Sequence, residues 1–277
     1  MKKANLPYPV LILVSLALVS VIIFLAQSVY VRVFQENIRA FEEKIDLGDF
    51  GLYSCVRGKG KPTIIFESGH ATSHETWSFI QQKISADNTT FSYDRAGIGL
   101  SDNSIYMRTS LNKAKELHML LKQAEINGPY IIVSHSTGTW VSRIFAMLYG
   151  NELAGLIFVD PTHEDTNEFT VNSLSPELFE SYNKEICKEG SYEDMLESIS
   201  QIREVRHTMK TIPLTVISSN NHQMGAQFEE KWSFWQKDIA SLSSYSKHIT
   251  VTCGHNIQSE NPDAIIQAIT EMVEKNK

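Results

Sequence analysis

A serine held in a tight turn carries the first chemical signal in the chain. Residues 130–140 read Tyr-Ile-Ile-Val-Ser-His-Ser-Thr-Gly-Thr-Trp, the pattern of a buried strand, a sharp turn and the start of a helix. The centre, Ser134-His135-Ser136-Thr137-Gly138, matches the nucleophile elbow G-x-S-x-G in its turn, its serine, its second glycine and the helix that follows. Such a turn lifts the hydroxyl clear of the sheet on a strained backbone, and small residues two positions to either side let strand and helix pack closely. Ser134 stands where the first glycine is usual and is small enough to substitute. The helix amino terminus beneath Ser136 puts a positive dipole end where an oxyanion would form. The implied chemistry is acyl transfer. A serine hydroxyl is a weak nucleophile, so a base must take its proton as it attacks a carbonyl.

Other strings fit other chemistries poorly. Gly97-Ile98-Gly99 opens like a dinucleotide fingerprint, but Asp102 sits where the third glycine belongs. Gly58-Lys59-Gly60-Lys61-Pro62 lacks the glycine spacing and the final Lys-Ser/Thr of a P-loop. His70 and His74 are four apart, as in some metal sites, with no third ligand at a defined spacing. Neither a metal nor a cofactor is expected.

The elements that must carry Ser136 alternate between strand and helix. Residues 51–57 alternate like a half-buried strand, and 63–66, 90–93, 130–133, 155–159, 213–218 and 248–252 read as further strands. Residues 111–123 and 139–149 read as helices, the second stopped by Gly150. Asn261 and Pro262 suit the N-cap and first turn of a last helix, in which Ile265, Ile266, Ile269, Met272 and Val273 recur at helical spacing. This order predicts an α/β fold, a mostly parallel sheet flanked by helices. Residues 161–200 depart from it, with ten acidic and two basic residues among recurring apolar ones. They read as amphipathic helices with an acidic outer face, a helical cap at about 161–210 inserted after the sixth strand.

At 42% hydrophobic and 21% charged, the 277-residue chain is not disordered in the main. Its net charge of −7 argues against a nucleic-acid-binding face. Cys55, Cys187 and Cys253 are too few for a disulfide scaffold and form no C-x-x-C pair. No charged residue lies between Lys3 and Arg32, and residues 10–26 read VLILVSLALVSVIIFLA. With its flanks this run approaches the length that a hydrocarbon core of ~30 Å requires. Residues 1–32 are therefore expected to be a transmembrane anchor, with a cleaved signal peptide as the rival, since Ala26 and Ser28 have the spacing that signal peptidase reads. Lys2 and Lys3 favour a cytoplasmic amino terminus, which makes the chain a single-pass cell-membrane protein with an extracytoplasmic domain. Residues 33–44 read as a polar-faced connecting helix, and 45–277 as the folded domain.

Three further strings occur in order around the elbow. Phe66-Glu67-Ser68-Gly69-His70 ends a strand in a glycine turn, Tyr93-Asp94-Arg95-Ala96-Gly97-Ile98-Gly99-Leu100-Ser101-Asp102 follows the next strand, and Cys253-Gly254-His255-Asn256-Ile257 follows the last. With these the chain resembles the α/β-hydrolase family over roughly residues 45 to 275. The resemblance implies that fold, a Ser136 nucleophile, and an oxyanion hole made by the backbone N–H groups of His70 and Thr137. It places the catalytic histidine at His255. Among nine histidines, His255 also stands out because it opens a loop at the carboxyl edge of the sheet. His135 adjoins the nucleophile, His118 lies on a helix, and His207 lies between cap and strand.

The acid is less direct. The commoner family position follows strand 213–218, where the chain reads Ser218-Ser219-Asn220-Asn221-His222 without a carboxylate. A minority of the family places the acid one strand earlier, where Asp160 ends a strand and Glu164 and Asp165 follow. Asp160 is expected to orient His255, with Glu164 and Asp165 as alternatives, and with Asn220 or Asn221 as neutral orienters if no carboxylate serves. The expected function is hydrolysis of an ester or related acyl bond in a small-molecule substrate. An aminopeptidase, a binding or sensor protein that keeps the fold with little turnover, and a related chemistry such as haloperoxidation or carbon–carbon hydrolysis are the alternatives. The anchor gives a direct expectation. The full-length chain should stay with membranes through high-salt and carbonate washes, and its folded domain should be digested by protease added to intact cells. A shortened soluble protein beginning near Val29 would show cleavage instead.

Overall fold

The computed structural model describes residues 41–276. The expected anchor and residues 33–40 of the connector lie outside the described residues. Within them no helix is long and apolar enough to cross a membrane. The elements run, in chain order, as strands β1 (Phe41–Asp46), β2 (Gly51–Arg57) and β3 (Thr63–Glu67), helix α1 (Ser78–Ile84), β4 (Thr90–Tyr93), α2 (Ser110–Gln123), β5 (Tyr130–His135), α3 (Gly138–Tyr149) and β6 (Leu153–Val159). Three helices follow, α4 (Thr166–Val171), α5 (Pro176–Ile186) and α6 (Tyr192–Glu204), then β7 (Leu214–Ser219), α7 (Ala226–Ala240), β8 (Ser246–Val251), α8 (Ile257–Glu260) and α9 (Pro262–Glu274). The strands form one eight-stranded sheet in the order β1-β2-β4-β3-β5-β6-β7-β8. β2 pairs antiparallel with β1 and β4, and all other pairs are parallel.

The central strands are mostly apolar because both of their faces are covered. Alternate residues go to opposite sides. Ile65, Ile132, Phe158 and Val216 join one core, with Leu117 and Leu121 of α2 and Ile144 and Phe145 of α3. Ile64, Phe66, Ile131, Val133, Ile157 and Val159 join the other, with Ile80 of α1 and Ile265 and Ile269 of α9. The parallel strands all end at one edge, so the loops after β3, β5, β6, β7 and β8 converge there.

Two sequence expectations are corrected. Residues 41–44 are not helical: they belong to β1, paired along its length with β2. Phe41 and Ile45 are four apart, a spacing that serves a helix and one face of a strand alike. The open edge of β2, with backbone groups to satisfy, decides between them, and the folded domain thus begins before residue 45. The second concerns the acid of 161–200. Glu177, Glu180 and Glu185 are exposed, but Glu164, Glu189 and Asp194 are buried. Helix α6 also turns Ile199 and Ile202 into the main core, so the inserted region is only partly a cap.

Glu189 ties that region to the sheet. Its carboxylate accepts from Arg95 Nε at 2.5 Å and Nη2 at 2.8 Å, from Lys113 Nζ at 2.9 Å, and from the Ala71 N–H at 2.8 Å. The same Arg95 donates to Glu67 and to the carbonyls of Ser68 and Gly69. Burial opposes the Glu189 charge, but Arg95 and Lys113 hold its carboxyl well below the usual range. Burial likewise opposes the charge of Glu164, which Arg143 nevertheless pulls down to about 2. A carboxyl with a depressed folded-state pKa adds stability above its unfolded pKa and loses it as pH falls through the folded value. The melting temperature should therefore drop as pH falls below about 4. Glu189→Gln should lower stability near neutrality by about 3–5 kcal/mol, because it removes the carboxylate that buried Lys113 pairs with and leaves Arg95 with Glu67 alone, and should blunt the acid loss. Urea and thermal unfolding across pH check both.

Candidate active site

Ser136 sits in the turn between β5 and α3 with φ of +53°, a left-handed conformation costly for a residue with a side chain. The turn is over-determined. The Ser136 N–H donates to the Val159 carbonyl at 3.1 Å, and the Ser136 carbonyl accepts from the Thr139 hydroxyl at 2.7 Å. A Cβ on Gly138 would lie 2.3 Å from the Ser68 carbonyl oxygen, so only glycine lets α3 start this close to the loop after β3. Ser134 is wholly buried in β5 beside Glu67 and Phe158, and its hydroxyl has no hydrogen-bond partner.

Asp160 directly follows β6, also with positive φ (+44°), and is fully buried. Oδ1 accepts from the Ser219 N–H and the Trp232 Nε1–H, each at 2.9 Å. Oδ2 lies 2.6 Å from His255 Nδ1 and 2.7 Å from His222 Nε2. Burial alone would raise its pKa, but the hydrogen bonds and charges of His222 and His255 carry it below the ordinary carboxylate range. His255 follows β8, and its Nε2 is 3.0 Å from Ser136 Oγ. With Nδ1–H donating to Asp160, Nε2 is left to accept the Ser136 proton. Thr162 Oγ1 lies 3.1 Å from Ser136 Oγ on another side.

The structure thus brings Ser136, His255 and Asp160 into one hydrogen-bonded line. The alternative acids point elsewhere: Glu164 pairs with Arg143 and Arg206, and Asp165 with Arg203. Asn220 and Asn221 are exposed. His135 is buried, and its pKa is driven down to about 3, first by burial and then by the neighbouring His255, so its ring is neutral. Its Nε2–H donates to the His255 carbonyl at 3.0 Å, which steadies the loop that presents His255. His118 bonds Glu152 and stacks on Tyr149, while His207 is exposed.

His70 and Thr137 lie together on the wall of a cavity of about 210 Å³ between the elbow and the helices after β6. Trp140, Thr162, Tyr182 and Met195 line it as well, and Arg95, Lys113 and Glu189 form part of its boundary. The His70 ring is 3.0 Å from the Glu185 carbonyl, and His74 is 2.9 Å from Asp94, so the two histidines serve different partners. Asp94 also accepts from the Leu100 N–H, and Ser101 donates to the Asp94 carbonyl. The loop after β4 is therefore built as a brace for the site.

His222, Glu229 and Trp232 also belong to the site, with no motif to announce them in the sequence. Glu229 and Trp232 stand on α7, whose signal in the sequence is the recurrence of Phe228, Trp232, Trp235 and Ile239 at spacings of four, three and four. His222 ends the segment after β7, Ser218-Ser219-Asn220-Asn221-His222, which holds no carboxylate. Among the described residues, Asp160, His222 and His255 also form a group of metal-ligand side-chain types. Their N···O separations of 2.6 and 2.7 Å are hydrogen-bond lengths, shorter than the ~3.3 Å between two ligands of a tetrahedral ion bound at ~2.0 Å.

No family model matches the chain. It is 32% identical over 217 residues to the uncharacterized protein YqjL of Bacillus subtilis, covering 78% of this chain and 85% of YqjL. It is 26% identical over 163 residues to an AB hydrolase superfamily protein of Gibberella zeae, covering 56% of this chain and 51% of that protein, about half its length. Among solved structures, Cfl2 from Burkholderia cenocepacia matches with a TM-score of 0.66 at 16% identity, over 86% of this chain and 96% of Cfl2. That is a likeness of fold.

If the His255 ring depends on Asp160 for its tautomer, Asp160→Asn should leave the fold intact and lower kcat on any substrate turned over at Ser136 by roughly 10²–10⁴-fold. Glu164→Gln and Asp165→Asn should cost far less turnover. Steady-state kinetics, with circular dichroism to check folding, decides the matter; collapse in either of the latter two alone would move the acid into the loop after β6.

Proposed function

We propose, because the chain belongs to the same family as Bacillus subtilis YqjL and has the α/β-hydrolase fold, that it is a serine hydrolase cleaving an ester or related acyl bond. The observation that carries this reading is the hydrogen-bonded line from Ser136 Oγ through His255 to Asp160. Ser136 attacks the substrate carbonyl while His255 Nε2 takes its proton. The backbone N–H groups of His70 and Thr137 receive the charge on the carbonyl oxygen. His255 then protonates the leaving group, which departs to leave an acyl-serine. Water, deprotonated by His255, attacks the acyl group, and His255 returns that proton to Ser136 Oγ as the acyl–serine bond breaks and the acid product leaves. Asp160 holds the Nδ1–H throughout and stabilises the imidazolium formed at each attack. The partner is a small acyl substrate. Residues 10–26 hold the enzyme in the cell membrane with its catalytic domain outside.

The cavity next to the elbow, walled by Thr137 and Gly138, is the space in which this reading places the acyl group. Its ~210 Å³ falls below the ~300–1,000 Å³ common for ligand pockets, and a buried ion-pair cluster forms part of its wall. A long alkyl chain threaded there would meet charged groups already paired with one another.

A fluorophosphonate probe should label the wild-type chain, and Ser136→Ala should abolish both labelling and ester turnover. Ser134→Ala should keep most of both, since the Ser134 hydroxyl has no partner. Among p-nitrophenyl esters, acetate and butyrate should be cleaved faster than long-chain esters. Labelling of the Ser136→Ala chain at the wild-type level would sink the assignment.

A further inference from the structure

His222 has no part in the steps above, yet it is among the most constrained side chains near the site. It follows β7, and its side chain is 4% exposed. Both ring nitrogens face carboxylates: Nε2 is 2.7 Å from Asp160 Oδ2, and Nδ1 is 2.9 Å from Glu229 Oε2. An ionised carboxylate can only accept a hydrogen bond, and a neutral imidazole donates from one nitrogen only. A neutral His222 would turn a bare lone pair onto one of the two carboxylates. Both contacts are satisfied together by the imidazolium. Burial opposes that charge, but Asp160 and Glu229 outweigh it and raise the His222 pKa above its ordinary value.

The surroundings keep the ring in place. Glu229 also accepts from the His222 backbone N–H at 2.6 Å, and Phe228 and Trp232 pack on the imidazole at centroid distances of 5.5 and 4.8 Å. The charged and titratable groups facing it are Asp160 at the end of β6, Glu229 on α7, and His255 after β8, whose ring centroid is 6.0 Å away. Asp160 Oδ2 is thus shared by two imidazoles. A cation on one of them opposes the gain of a second cation on the other.

We propose that His222, as an imidazolium held between Asp160 and Glu229, is a positioning residue that fixes the orientation of Asp160 and sets the acid limit of the pH range in which Ser136 reacts. This inference rests on the serine-hydrolase reading. It assigns a cation to the segment after β7, where the resemblance leads one to look for a carboxylate.

The test is the second-order rate of fluorophosphonate labelling of the full-length chain between about pH 5 and pH 9, the span in which imidazoles titrate. His222→Gln keeps a donor toward Asp160 and removes the charge. Its acid limb should move up by about one pH unit, which is about tenfold slower labelling at the foot of the limb. His222→Lys restores a cation and should return the limb toward its wild-type position. A role in packing alone predicts the reverse ranking, with the amide tolerated and the longer lysine disruptive. An unmoved limb in both variants, or an equal movement in both, overturns the inference while wild-type labelling upholds the hydrolase reading. Failure of the wild-type chain to label at Ser136 overturns both. A readout that needs no variant is ¹⁵N NMR of the histidine-labelled chain. The His222 ring, assigned by the loss of its signals in His222→Gln and so told apart from His74, which Asp94 also favours as a cation, should remain doubly protonated at about pH 8, where an ordinary imidazole is neutral, and finding it neutral also overturns the inference.

Discussion

A single buried carboxylate organises the catalytic edge. Asp160 is fully excluded from solvent, where an uncompensated charge would be costly. Compensation comes from donors on different elements: the Ser219 backbone at the end of β7, Trp232 on α7, His222 after β7 and His255 after β8. Each bond fixes its donor as much as it stabilises the acceptor. The orientation of His255, and through it the approach to Ser136, follows from where β6 delivers Asp160. The positive φ at Asp160 and at Ser136 is backbone strain at adjacent strand ends, tolerated because the surrounding bonds over-determine both turns.

A second buried charge, Arg95, does comparable service for the opposite wall. It holds the carbonyls of Ser68 and Gly69, next to His70, while pairing with Glu67 below and Glu189 above. Glu189 belongs to the region inserted after β6 and also receives the Ala71 N–H. The loop that carries His70 is therefore clamped between the sheet and that inserted region. Its geometry depends on the two staying together, so the covering helices are part of the site's framework as well as its roof.

Much of this was legible in the chain's order of residues. The apolar strand runs, the helices after them and the elbow around Ser136 are local patterns, set by period, turn chemistry and steric need. Gly138 is an example: its necessity is a clash of 2.3 Å with Ser68, and its position two residues after Ser136 announces it. His255 and Asp160 stand out in the sequence as candidates because each ends or follows a strand and parallel strands end at one edge. β1 is ambiguous in the sequence because the spacing of Phe41 and Ile45 serves two periods equally, and only the open edge of β2 chooses between them.

What the sequence by itself determined was which strand ends carry reactive groups. Which of those groups touch was decided by the tertiary structure. Asp160, Glu164 and Asp165 are near neighbours in the chain and alike in chemistry, so the strand-end position favours Asp160 without excluding the other two. The fold separates them by direction, sending Asp160 to His255 and Glu164 and Asp165 to arginines. His222 and Glu229 lie 62 and 69 positions from Asp160 and gain their meaning only when β7 and α7 pack beside β6. A hydrogen bond needs atoms within about 3 Å, and for residues that far apart in sequence only the packed sheet and its helices set that distance.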